Sequence, residues 1–177
     1  MIDVPTSIHV VNKFLSARPE RRGVCYHGDV YTSAKPGAIP CACTTVKKLS
    51  RVLGRVYDAA LEGTEINVTQ LAVMRCISRR TGEPLAHVAQ ELEMDRTSLY
   101  RAIDPMVRDG WLMVSSGADA RSRSAKITRK GARVLANAAK GWDAMQARLI
   151  ARFGRKSYEA LVKEVYRLAD CAEAAKP

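Results

Sequence analysis

Beyond residue 41, apolar residues return at three- and four-residue steps over most of the chain. Val46, Leu49, Leu53, Val56 and Ala60 form one such stripe, with Lys47, Lys48, Arg51, Arg55 and Asp58 mostly between them. The pattern predicts an amphipathic helix ending near Gly63. Asn67-Val68-Thr69-Gln70 is a variant capping box, in which the Asn67 oxygen can accept from an orphan amide and Gln70 can reach back. A second helix follows, with Leu71, Met74 and Ile77 facing inward, and stops before Gly82. Pro84 opens a short third helix through Leu85, Val88, Ala89 and Leu92. Asp95 suits the N-cap of a fourth, with Leu99, Ile103, Met106 and Val107 inward and Asp109-Gly110 at its end.

The pattern then changes. Trp111-Leu112-Met113-Val114 is a strand, SSGADARSRS a polar turn, and Ala125-Lys126-Ile127 a return strand. Thr128 caps a long fifth helix through Leu135, Ala138, Trp142, Met145 and Leu149, to about Phe153. Gly154 breaks it, and Ser157 can cap a sixth helix carrying Leu161, Val162, Val165, Leu168 and Ala169. Ahead of all this, Pro5 to Ala17 has room for one short helix through Ile8, Val11 and Leu15. The stretch up to Pro40 reads as an extended arm or long loop. The fold predicted is mainly α with a small β-hairpin. A short helix, a tight turn and a second helix opening at a capping Asp form a helix-turn-helix, and the basic hairpin after it makes a wing.

Composition sharpens this picture. At 177 residues the chain can bury one substantial core. With 47% hydrophobic and 27% charged residues it is ordinary globular material. Twenty-nine Lys and Arg against 18 Asp and Glu leave a net charge of +11, which points to a polyanion, nucleic acid ahead of an anionic membrane surface. No apolar run approaches the roughly 18 residues that span a bilayer. The N-terminus has no basic segment ahead of an apolar one, so a cytoplasmic location is expected. The odd count of five cysteines argues against a disulfide framework.

Three stretches in order resemble the multiple-antibiotic-resistance regulator (MarR) family of winged-helix transcription factors, over about Cys41 to Phe153. Ile66-Asn67-Val68-Thr69-Gln70-Leu71 resembles the opening of the family's second helix, with Asn where Thr is usual. Met94-Asp95-Arg96-Thr97-Ser98-Leu99, then Arg101 and Gly110-Trp111-Leu112, resembles its recognition helix and the exit into the wing. Asp119-Ala120-Arg121, followed after five residues by Ile127-Thr128 and then Lys130-Gly131, resembles its wing signature. The arm before Cys41 departs from the pattern, since typical members start close to the first helix. The resemblance implies a homodimer on a palindromic operator in double-stranded DNA, released when a small molecule or an oxidant acts. The expected division is an arm over 1–40, a dimerisation and pocket helix over 41–66, a winged helix-turn-helix DNA-binding domain over 67–128, and dimerising C-terminal helices over 129–177. The apolar faces of the first, fifth and sixth helices exceed what one small winged domain can cover, which points the same way.

Arg96, Thr97, Ser98, Tyr100 and Arg101 occupy the first turns of the predicted recognition helix, where side chains point at base edges. An arginine there can take guanine O6 and N7 bidentately, and Thr and Ser can contact bases or phosphates. The plainer alternative is a solvated helix face. In the hairpin, Arg121 and Arg123 can enter the minor groove, with Asp119 orienting Arg121 by an ion pair and Arg123 the freer contact. Here the alternative is a solvated polar turn.

The resemblance also implies an effector pocket where the first, second and fifth helices meet. Tyr57, Met74, Arg75, Trp142 and Met145 are candidate lining, apolar and adaptable with a cation to fix an acid. All but Arg75 can equally be ordinary core. Cys41 and Cys43 sit two apart at the start of the first helix, where thiolates are favoured. A bridge between them would be strained, and the pair alone falls short of a zinc site. Packing or pocket lining, redox sensing and metal binding stay open for them. Cys76 and Cys171 read as buried small hydrophobes within helices.

His9, His27 and His87 are scattered, with no carboxylate or cysteine cluster at metal-ligand spacing. No Ser/His/Asp arrangement, P-loop or dinucleotide fingerprint is present, so neither an enzyme, a cofactor nor a metal is expected. An RNA-binding module competes weakly, because aromatics are only 6% and no aromatic-rich sheet offers bases a stack. The expectation is a ligand-responsive repressor answering a small aromatic or hydrophobic acid, with oxidation at Cys41 or Cys43 as the alternative signal.

Overall fold

The computed structural model describes residues 39–116 and 123–176. In chain order the elements are α1 (Ala42–Ala60), α2 (Val68–Arg79), α3 (Leu85–Glu91), α4 (Arg96–Arg108), β1 (Leu112–Ser116), β2 (Arg123–Ile127), α5 (Arg129–Phe153) and α6 (Arg155–Ala174). By compactness the chain divides into Met1–Lys48 and Leu49–Pro177. The described part of the first unit is residues 39–41 and the start of α1. The predicted helix over Pro5–Ala17 and the arm up to residue 38 lie outside the described residues, as does the turn over 117–122.

Three helices begin where their caps predict. The Gln70 amide donates to Asn67 Oδ1 at 2.9 Å and the Asn67 amide to Gln70 Oε1 at 3.0 Å, closing the capping box of α2. Asp58, at the end of α1, adds an acceptor for the Val68 amide at 2.8 Å. The Ser98 amide donates to Asp95 Oδ1 at 2.9 Å and the Gly131 amide to Thr128 Oγ1 at 3.0 Å. Each such cap stabilises its helix by about 1 kcal/mol.

Helix α2 is the hub, packing against α3, α4, α5 and β2. Its Leu71, Val73, Met74, Cys76 and Ile77 are buried with Leu85 and Val88 of α3 and Leu99, Ile103 and Met106 of α4. Leu112 and Ala125 of the hairpin and Val134 and Ala138 of α5 complete the core. The two strands are antiparallel, from Leu112 opposite Ile127 to Ser116 opposite Arg123. An isolated bridge from Pro84 to Ser124 fastens the hairpin to the residue preceding α3.

One contact between the wing's exit and α5 tolerates no side chain. The Thr128 amide donates to the Trp111 carbonyl at 3.0 Å, and its hydroxyl donates to the Gly110 carbonyl at 2.7 Å. Gly131 lies against the same strand entry, and a Cβ there would fall 2.1 Å from the Trp111 oxygen.

Three expectations are corrected. Val107 is 38% exposed rather than inward. It lies about 70° around the helix from the centre of the Leu99–Ile103–Met106 stripe. Ser157 does not cap α6; Gly154 holds the N-cap position, with no side-chain cap bond, and Ser157 falls inside the first turn. Cys171 is exposed, unlike Cys76, because α6 has no buried residue at all. The apolar faces of α6 and α1 are not covered within the chain: Leu161, Val165 and Leu168 are 40%, 41% and 46% exposed, and Val46 and Leu49 are each 42% exposed.

Candidate nucleic-acid interface

Helix α4 is two-faced. Leu99, Ile103 and Met106 are at most 1% exposed, so the opposite side of the helix must face out. Arg96, Thr97, Ser98 and Arg101 are exposed there and Tyr100 is half-buried. Ser98 is already engaged, its hydroxyl donating to Asp95 Oδ2 at 2.6 Å. That bond, with the Ser98 amide, holds the Asp95 carboxyl below the usual range. Among the described residues Arg96, Thr97 and Arg101 have no side-chain hydrogen-bond partner, whereas Ser98 is a cap partner first.

Arg123 opens β2, with its guanidinium carbon 5.8 Å from the centre of the Tyr100 ring. Asp119 and Arg121 lie outside the described residues.

An ionic clasp ties the end of α2 to α3. Arg79 donates to Glu91 Oε1 at 2.5 Å, Arg80 Nε donates to Glu91 Oε2, and Arg80 Nη1 donates to Glu83 Oε2 at 2.8 Å. The two guanidiniums, Arg80 foremost, hold the Glu91 carboxyl down at about 2. Burial pushes the neighbouring Cys76 thiol up, and its hydrogen bond to Glu91 adds to this.

Where the effector pocket was expected, three of the five candidates come together. Tyr57 of α1 and Trp142 of α5 have ring centres 5.9 Å apart. The Arg75 guanidinium lies 4.0 Å from the centre of the Trp142 ring and 3.5 Å from Asp143 Oδ1. The Tyr57 hydroxyl donates to Gln146 Oε1, and Gln146 Nε2 donates to the Tyr158 hydroxyl of α6 at 2.8 Å. Burial is the main reason the Tyr57 phenol is pushed up, with Tyr158 adding to it. Gly141 permits this closeness, since a Cβ there would meet the Ala60 oxygen at 2.3 Å. Met74 is fully buried in the core, the plainer of the two alternatives left open for it. Met145 is half-buried and takes no part in these contacts. Gln146 and Tyr158 were missed, since neither a lone glutamine nor a lone tyrosine on a helix carries a periodic signal. Shallow depressions of about 280 and 230 Å³ lie elsewhere, the larger lined by Glu65, Arg133, Val134 and Asn137, the other by Ala147, Ile150, Ala151 and Arg155.

Cys41 and Cys43 are both exposed at the N-terminus of α1. Hydrogen bonds from Thr44, the backbone amide foremost, pull the Cys41 thiol down. Among the described residues no group of three His, Cys, Asp or Glu gathers as a metal site, and no helix is long and apolar enough to cross a membrane.

No family model and no curated protein matches the sequence. Solved structures do. The transcriptional regulator MosR of M. tuberculosis, crystallised in complex with DNA, is 31% identical, with a TM-score of 0.70 over 78% of this chain and 100% of its own. PcaV of Streptomyces coelicolor, crystallised with its natural ligand, shares the fold at 18% identity, with a TM-score of 0.69 over 77% of this chain and 99% of its own. MarR itself shares it at 18% identity, with a TM-score of 0.62 over 80% of this chain and 96% of its own. With the motifs of α2 and α4 on the same scaffold, and 31% identity across the whole of MosR, the chain belongs to the MarR family of winged-helix transcriptional regulators.

Proposed function

We propose that the protein is a DNA-binding repressor that acts as a homodimer on a palindromic operator and leaves it when a small aromatic or hydrophobic acid binds. The observation that carries the DNA reading is α4 itself. Its inner stripe is sealed in the core while Arg96, Thr97 and Arg101 are exposed, next to a wing whose second strand starts with Arg123. Arg96 and Arg101 would read base edges from the major groove, and the wing arginines Arg121 and Arg123 would enter the minor groove beside it, with Asp119 orienting Arg121. MosR, bound to DNA in its crystal structure, supports this reading. The test is binding to duplexes drawn from a random library. Selective capture of an inverted repeat is expected, and equal binding of single and double strands would defeat the reading.

Two features support the dimer and the effector. The apolar residues of α1 and α6 lie half open to solvent, as faces that a second copy would cover. The Tyr57–Trp142–Arg75 cluster couples an aromatic surface to a cation, which suits a planar acid. A ligand held there would favour one separation of the two recognition helices. A coupling of about 1–3 kcal/mol is enough for a 5–150-fold loss of operator affinity.

One observation favours a second signal. Cys41 is exposed at a helix N-terminus and its thiol is pulled down, the setting in which a thiolate reacts with peroxide. If oxidation is the signal, mild peroxide releases the DNA and the Cys41→Ser, Cys43→Ser double variant does not respond. Release that persists in the double variant removes both cysteines from the mechanism.

A further inference from the structure

Tyr100 and Arg123 look, in the sequence, like two separate DNA contacts, one on the recognition helix and one on the wing. Their placement joins them. Arg123 faces Ser116 in the last pair of the hairpin ladder. Side chains alternate along a strand, so Arg123 shares its face with Ala125, which is 2% exposed and belongs to the core. Its side chain thus leaves the hairpin on the side of the core and of α4. There it meets Tyr100, whose ring is packed against the core cluster and whose centre lies 5.8 Å from the guanidinium carbon. That is within the range of a cation–π contact.

We infer that Tyr100 is a positioning residue: its ring, fixed by the core beneath it, is the platform that holds Arg123 ready for DNA and ties the wing to the recognition helix. The inference rests on the DNA reading above and names a role within it. An arginine on a hairpin has large rotamer freedom, which binding must otherwise remove. A side chain held in place beforehand loses less on binding, and the gain appears as affinity. Tyr100 therefore acts through Arg123 rather than by touching a base. Because Leu99 anchors the neighbouring position in the core, the platform moves with the recognition helix.

The experiment is a double-mutant cycle on the full-length protein, using a duplex of about 30 base pairs, long enough for two half-sites one turn apart. Tyr100→Leu is expected to weaken binding about two- to fivefold, the range of an exposed cation–π contact. The salt slope should hold, since Arg123 still delivers its charge. Tyr100→Phe keeps the ring face and should bind as the wild type does. Arg123→Ala should lower the salt slope by about one. In that background Tyr100→Leu should do nothing more.

Losses that simply add in the double variant overturn the inference. So does a Tyr100→Phe variant as weak as Tyr100→Leu, which would make the hydroxyl a direct DNA contact. A Tyr100→Leu chain that fails to fold leaves the Phe variant and an Arg123→Lys variant to decide. Lysine keeps the charge but not the planar stacking, and should repeat the Tyr100→Leu loss at an unchanged slope. An Arg123→Lys variant that binds like the wild type sinks the inference. A wild-type chain that ignores the duplex overturns the DNA reading itself, and the inference with it. A wild-type chain that binds but shows additive losses overturns the inference alone.

Discussion

Ser98 and Arg96 stand two residues apart on α4, yet their side chains have different obligations. Ser98 is held by both oxygens of Asp95. Arg96 is exposed at the helix N-terminus, and on the proposed DNA reading it would take a guanine bidentately. Arg96→Ala should therefore lower operator affinity by about 1–3 kcal/mol and relax preference at one base pair, measured against a panel of single-base operator variants. Ser98→Ala should instead act on the folded state, through the cap it helps to complete, and leave base preference unchanged. Gly131 marks another kind of constraint. An alanine there would drive its Cβ into the Trp111 carbonyl, so Gly131→Ala should destabilise the fold by about 1–3 kcal/mol in denaturant unfolding.

Among the elements, the ones that announce themselves in the sequence are those with a side-chain cap. Asn67, Asp95 and Thr128 each start a helix where their chemistry says one should start. Periodicity is a weaker guide, because it reports that a helix has an apolar side and not what lies against it. The α6 stripe is real as a pattern, yet Leu161, Val165 and Leu168 are open. Val107 errs at the stripe's edge, where one turn's drift decides between core and solvent. The Tyr57–Trp142–Arg75 cluster was visible because aromatic and cationic residues are conspicuous. Its extension to Gln146 and Tyr158 depends on how α5 and α6 meet, which no local pattern encodes. The clasp between α2 and α3 depends likewise on tertiary placement, and it carries a pH prediction. Glu91 is held at about 2, below the ordinary carboxylate value of about 4.3. A depressed folded value means the clasp stabilises fully above the ordinary value, and that contribution fades as pH falls from there towards 2. Glu91→Gln should flatten the acid limb of the stability profile, measured as denaturant midpoint against pH. The change should be small, because these groups face solvent.

For the whole molecule, the open sides of α1 and α6 are the test of the proposed dimer. If they cover each other across a two-fold axis, the two recognition helices stand about 34 Å apart, one turn of DNA. Leu161→Glu with Val165→Glu should then give a monomer in sedimentation at micromolar concentration and weaken binding to the full palindrome far more than to a half-site. A wild-type monomer would remove the dimer from the account. The effector proposal is tested by titrating aromatic acids against the protein–DNA complex. Release by an acid in the wild type should be lost in Arg75→Ala, which removes the cation but leaves the Trp142 ring. If no acid changes operator affinity, oxidation becomes the leading signal.

The chain has two tryptophans, and the fold has put them at different stations. Trp111 is 4% exposed where α4 gives way to the wing, and Trp142 is half-buried under the Arg75 guanidinium. The protein thus carries its own pair of optical probes. Trp111 should emit as a shielded indole and report on the winged unit, whereas Trp142, pressed against a cation, should report on the junction of α1, α2 and α5 around Tyr57 and Arg75. A Trp142→Phe chain would be left with the first signal alone and a Trp111→Phe chain with the second. Fluorescence titrations of the two would then tell whether an added molecule is felt first at the junction or at the wing, without any label attached.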